Sequence, residues 1–141
     1  MAVFSAAFAG FATAANAQAI QFFAVLDGGN EVNGATARAG DLNGSGVASI
    51  MISGTQVCFS LLVRGIANPT AAHIHTGLPG VSGPIFITLT PVPASGALGT
   101  ESGCVPSTVQ KIDAIKANPG KYYVNVHTGE FTAGAIRGQL F

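Results

Sequence analysis

The chain has 141 residues, of which 48% are hydrophobic, 9% are charged and 19 are glycine; the charged share is about a third of the usual one. Six basic and six acidic residues cancel, which excludes a basic nucleic-acid-binding surface and a membrane binder driven by charge. A chain this apolar buries enough surface to offset its conformational entropy, so disorder is excluded and one small glycine-rich domain is expected.

Residues 1–26 carry no charge, and residues 1–19 are mostly alanine and other small residues together with phenylalanine. Ala15-Asn16-Ala17 and Ala17-Gln18-Ala19 both fit the small-x-small cleavage pattern of a signal peptide, so residues 1–19 read as a leader and 20–141 as the domain. The missing positive region predicts a translation start upstream of Met1. An apolar first strand is the alternative reading of this segment. Cleavage predicts a secreted or periplasmic protein with no membrane anchor.

Turn signals then recur about every ten residues, from Asp27-Gly28-Gly29 through Asn33-Gly34, Asn43-Gly44, Ser53-Gly54, Asn68-Pro69 and Pro79-Gly80 to Pro119-Gly120. The runs between them, at 20–26, 46–52, 57–63, 85–89, 122–126 and 135–141, are rich in β-branched and aromatic residues. Short strands at this spacing predict an all-β antiparallel sandwich or barrel. Residues 108–117 are the exception. Val109, Ile112 and Ile115 repeat at helical spacing, Ser107-x-x-Gln110 resembles a capping box, and Asn118-Pro119-Gly120 stops the helix.

Cys58 falls in an apolar strand-like run and Cys104 in a glycine- and serine-rich connection. In an oxidising compartment such a pair reads as a disulfide, and no CxxC spacing points to a metal site built on cysteine.

Alternation in 122–127 puts Tyr122, Val124 and Val126 on one face and Tyr123, Asn125 and His127 on the other. In 135–140, Ile136, Gly138 and Leu140 oppose Ala135, Arg137 and Gln139. A hairpin centred near Phe131 pairs Asn125 with Arg137 and Tyr123 with Gln139. A core on one side and a polar, solvent-facing surface on the other accounts for most of that pattern.

Chemistry concentrates in the three histidines. In a strand, His73-Ile74-His75 puts both imidazoles on one face, about 7 Å apart at Cα. His127 supplies a third ring if its strand is a neighbour. Three neutral imidazoles suit copper or zinc. Tyr123 and Glu130 are then candidate fourth ligands or partners of the ligands, Asn125 is a further candidate partner, and Arg137 can hold an anion beside the site. The competing reading needs no metal: the imidazoles hydrogen-bond the loop 77–83 and fix its shape. Other chemistries find no support. There is no Gly-x-Ser-x-Gly elbow, phosphate loop or dinucleotide fingerprint, and Glu101, Asp113 and Glu130 form no recognisable acid/base couple.

Two segments together carry a resemblance. Ala72-His73-Ile74-His75-Thr76-Gly77, continuing to Gly83-Pro84-Ile85, is followed by Tyr122-Tyr123-Val124-Asn125-Val126-His127-Thr128 and Gly134-Ala135-Ile136-Arg137-Gly138-Gln139-Leu140. With the opening Phe23-Ala24-Val25-Leu26-Asp27-Gly28 and Glu31-Val32, this resembles the CHRD domain, the module repeated in chordin and widespread in bacterial exported proteins. The resemblance spans about 21–141 and departs in lacking prolines after Glu31-Val32. It implies an immunoglobulin-like or barrel-like Greek-key fold and an extracellular or periplasmic location. The order of His73, His75, His127 and Arg137 is also similar to that around copper in copper/zinc superoxide dismutase. Three histidines cannot supply the bridging and zinc ligands of that enzyme as well. The expectation is therefore a binding or structural module with a copper site at His73, His75 and His127, rather than an enzyme. The alternatives are a metal-free protein-interaction domain and an oxidoreductase of the dismutase type.

Overall fold

The computed structural model describes residues 18–89 and 100–141; the expected leader therefore lies outside the described residues except for its last two. The strands are β1 (Ile20–Asp27), β2 (Val32–Asn33), β3 (Thr36–Ala37), β4 (Ser45–Ser53), β5 (Gln56–Arg64), β6 (Pro69–Thr76), β7 (Ile85–Thr88), β8 (Thr100–Pro106), β9 (Tyr122–Thr128) and β10 (Ile136–Gln139). Eight of them form one antiparallel sheet in the order β7-β6-β9-β10-β1-β4-β5-β8, and β2 pairs with β3 as a separate hairpin. The sheet curls into a nearly closed barrel, so of the two expected architectures it is the barrel that is found. Three sequential hairpins (β4–β5, β6–β7, β9–β10) are joined into the sheet by the pairings β1–β4, β1–β10, β5–β8 and β6–β9.

Alternation builds the core. Phe22, Ala24 and Leu26 of β1, Ile50 and Ile52 of β4, Phe59 and Leu61 of β5, Ile74 of β6 and Val124 and Val126 of β9 all point inward and are buried. The sheet edges β7 and β8 face each other across a gap of about 480 Å³, lined also by Thr108 and Lys111 at the start of α1 (Val109–Ala117). Ile112 and Ile115 of α1 are buried in the core. Lys111 Nζ donates to the carbonyl of Phe86 on the edge strand (2.5 Å), which occupies an acceptor that would otherwise invite another strand.

The helix falls where expected, but its cap lies one residue further on. Thr108 Oγ1 accepts from Lys111 N–H, whereas Ser107 Oγ is buried without a partner. Cys104 is also reassigned: it belongs to β8, directly opposite Cys58 of β5, and the two are joined in a disulfide. Strand β8 escaped notice because Glu101-Ser102-Gly103 breaks the apolar pattern, while its cross-strand partner β5 supplies the regular ladder. The register of the last hairpin is the expected one, Asn125 opposite Arg137 and Tyr123 opposite Gln139.

Candidate metal centre

Strand order brings the expected residues together. Strand β6 lies beside β9, with His73 opposite Asn125, His75 opposite Tyr123 and Ala71 opposite His127; β10 follows on the far side of β9. Period-two alternation then puts His73, His75, Tyr123, Asn125, His127, Arg137 and Gln139 on one outer face.

That face is not solvent-exposed, as a polar surface would be. Tyr123 and Asn125 are each 2% exposed and Arg137 is 1% exposed. The loop 77–84 covers them. Arg137 Nη2 donates to the carbonyls of Leu78 (3.3 Å) and Val81 (3.1 Å), and Gln139 Nε2 donates to that of Gly77 (2.9 Å). Gly83 N–H donates to Tyr123 Oη (3.2 Å). From the other side the segment after β1 folds back, and Asp41 N–H donates to the carbonyl of Ala135 (2.8 Å). Backbone carbonyls of the loop 77–84 thus satisfy Arg137 Nη2 and Gln139 Nε2 in a buried polar layer outside the barrel, while Glu31 Oε1, His75 Nε2, Asn125 Oδ1 and Arg137 Nη1 have no protein partner.

Within it the three rings converge. One nitrogen from each of His73, His75 and His127 can be chosen so that all lie within 4.8 Å of one another. Two nitrogens on one ion at about 2.1 Å each stand at most about 4.2 Å apart, so the widest pair must close by roughly half an ångström. Tautomers follow from the other ring atoms. His75 Nδ1–H donates to the Gly83 carbonyl (2.8 Å) and His127 Nδ1–H to that of Thr132 (2.9 Å). Both Nε2 atoms therefore present lone pairs. His127 Nε2 lies 2.9 Å from His73 Nδ1, while His75 Nε2 is buried with no protein partner.

Burial holds all three rings neutral. His73 is pushed down to about 4 by desolvation, then by His127 and His75. His75 and His127 are lowered mainly by desolvation too, against the raising effect of their carbonyl partners. Neutral imidazoles with fixed tautomers are what a metal ion requires of histidine.

The remaining residues divide. Tyr123 stacks on His75, with centroids 4.9 Å apart and planes within 10°, and Arg137 Cζ lies 3.6 Å from the same Tyr123 ring centroid. Asn125 lies between His75 and Glu31 and influences the titration of both. Glu130 is exposed after β9. The carboxyl beside Asn125 and Arg137 is instead Glu31, 2% exposed and pushed up to about 7 because desolvation outweighs the attraction of Arg137. Nothing local in the sequence announced Glu31, since the fold-back of 28–41 is what delivers it.

The sequence matches the CHRD domain family over residues 22–140. The chain belongs to the CHRD domain family. No curated protein and no solved structure matches it. For a CHRD domain the general role is that of a structural or binding module, and among the described residues the histidine cluster on β6 and β9 is the part of this one with metal-ligand geometry. The Cys58–Cys104 disulfide fits an oxidising compartment. Among the described residues, no helix is long and apolar enough to cross a membrane.

Proposed function

We propose that this CHRD domain is an exported copper-binding module whose ligands are His73 Nδ1, His75 Nε2 and His127 Nε2. The observation that carries the reading is the buried, unpartnered Nε2 of His75, turned into an acceptor by its Nδ1–H bond to Gly83 and grouped with two further imidazoles. An unpartnered buried acceptor is costly, and an ion shared with the neighbouring rings relieves it. Among divalent first-row metals an all-imidazole site favours copper. The Ala/Phe-rich residues 1–19 act as the leader, and export provides the oxidising surroundings that the disulfide suits.

A second reading, in which the domain binds a protein partner without metal, draws on two observations. The 2.9 Å contact lets His73 Nδ1–H donate to His127 Nε2 and close the cluster unaided. On the outer face, Val25, Val47 and Leu62 stand side by side in register, 61%, 48% and 53% exposed, an apolar row of the kind partners cover. Calorimetric titration with copper decides between the readings. The copper reading predicts one equivalent bound by the wild type and none at this site in a His73→Ala/His75→Ala double variant. Absence of binding, or equal binding by the variant, overturns it.

A further inference from the structure

We propose that Tyr123 is a positioning residue for His75, its ring setting the plane of the imidazole and its hydroxyl fixing the carbonyl that sets the tautomer. The inference deepens the copper reading and takes its functional meaning from it, but its structural content is testable without metal.

Tyr123 sits on β9, between His75 on β6 and the strand that carries Arg137. Its ring is parallel to the imidazole within 10° and lies under the guanidinium at 3.6 Å. The three planar groups thus run in a row across three adjacent strands, and the ring in the middle cannot tilt without losing contact on both sides. Arg137 is itself held, because its Nη2 bonds two carbonyls of the loop 77–84. The imidazole plane is therefore set by a stack whose far end is anchored.

The second link runs through hydrogen bonds. Tyr123 Oη accepts from Gly83 N–H (3.2 Å), and the carbonyl of the same Gly83 accepts from His75 Nδ1–H (2.8 Å). One residue of loop thereby connects the phenol to the ring nitrogen opposite the proposed ligand atom. Holding Gly83 in place keeps the proton on Nδ1 and the lone pair on Nε2, which a metal ligand requires. Loop 77–84 is pinned independently, since Thr76 N–H donates to Pro84 O (3.1 Å) and Gly77 N–H to Lys121 O (2.8 Å). Removal of the phenol therefore acts on Gly83 and His75 without releasing the whole loop.

Two variants separate the links. Tyr123→Phe keeps the stack and removes only the hydroxyl; Tyr123→Leu removes the ring. The first readout is nitrogen NMR of the His75 ring in the metal-free full chain, which reports tautomer and the solvent exchange of Nδ1–H. The wild type should show a single Nδ1–H tautomer. Tyr123→Phe should keep it but exchange that proton about tenfold faster, the effect of weakening about one net hydrogen bond. Tyr123→Leu should populate both tautomers and weaken copper binding by roughly 10- to 100-fold, as loss of an orienting partner does at metal sites.

Unchanged exchange in Tyr123→Phe overturns the hydroxyl link, and this variant decides even if Tyr123→Leu fails to fold. A folded Tyr123→Leu with wild-type tautomer and copper affinity overturns the stacking link. A wild type that binds no copper sinks the metal reading and leaves the NMR outcome to judge the positioning role by itself.

Discussion

Substituting alanine for Gly83 tests how the loop 77–84 controls the histidine cluster. A Cβ at this position would lie 1.7 Å from the Thr76 carbonyl oxygen and 2.9 Å from its carbon. Non-bonded heavy atoms settle at about 3.5 Å, so the loop must retreat by roughly 1.5 to 2 Å. Retreat breaks the bond from His75 Nδ1–H to Gly83 O and the bond from Gly83 N–H to Tyr123 Oη. At about 1 kcal/mol net for each, the domain should lose about 2 kcal/mol of stability. With the tautomer of His75 released, copper affinity should fall by about 10- to 100-fold. Gly80→Ala is the control within the same loop. Its Cβ meets nothing within 4 Å, and only its φ of +75° disfavours the substitution, which costs about 1 kcal/mol. Urea denaturation and copper titration of both variants give the comparison. If Gly83→Ala binds copper as tightly as Gly80→Ala, the loop does not orient the site and the reasoning fails.

Three further outcomes follow from the same structure. Reducing or replacing the Cys58–Cys104 disulfide, whose members are 46 residues apart, should cost about 4 kcal/mol on the chain-entropy account, measured by denaturation with and without reductant; a loss under about 1 kcal/mol contradicts it. Ser107→Ala removes a buried hydroxyl that has no partner, so stability should stay level or rise by up to about 1 kcal/mol, and a clear loss would mean the hydroxyl is bonded. Stability should also depend on pH with a definite sign. The three histidines have lowered values in the fold, so they favour folding above about 6.5, and this contribution is lost as pH falls below that, for His73 down to about 4. Glu31, raised to about 7, contributes stability fully only below its ordinary value of 4.5 and loses it as pH rises to 7. Three groups outweigh one, so denaturation midpoints should climb from pH 4 to 6.5 and dip slightly above it; a fall over the acid range contradicts the assigned protonation states.

Much of this molecule was legible in its sequence where one period governed a whole segment. Alternation in 122–127 and 135–140 was regular enough to fix both the strands and their pairing, including Asn125 against Arg137. His73-Ile74-His75 could be placed on one face for the same reason. Adjacency of β6 and β9 was a matter of topology, on which local pattern is silent, and the convergence of His127 on the pair depended on it. The burial of the polar face was misread. Alternation separates two faces of a sheet but does not reveal that two loops cover the outer one. Glu31 was missed on the same grounds, because its partners Asn125 and Arg137 lie about a hundred positions away and are reached only through the fold-back of 28–41. The cap of α1 was displaced by one residue because Ser107 and Thr108 are both good N-cap residues, and backbone geometry chose between them.

A crystal structure of the copper-loaded protein tests the central claim most directly. The account predicts one ion about 2.0 to 2.1 Å from His73 Nδ1, His75 Nε2 and His127 Nε2, with the Nδ1–H bonds to Gly83 and Thr132 intact. Copper bound elsewhere, or a histidine cluster still closed by the His73–His127 hydrogen bond at saturating copper, would contradict it.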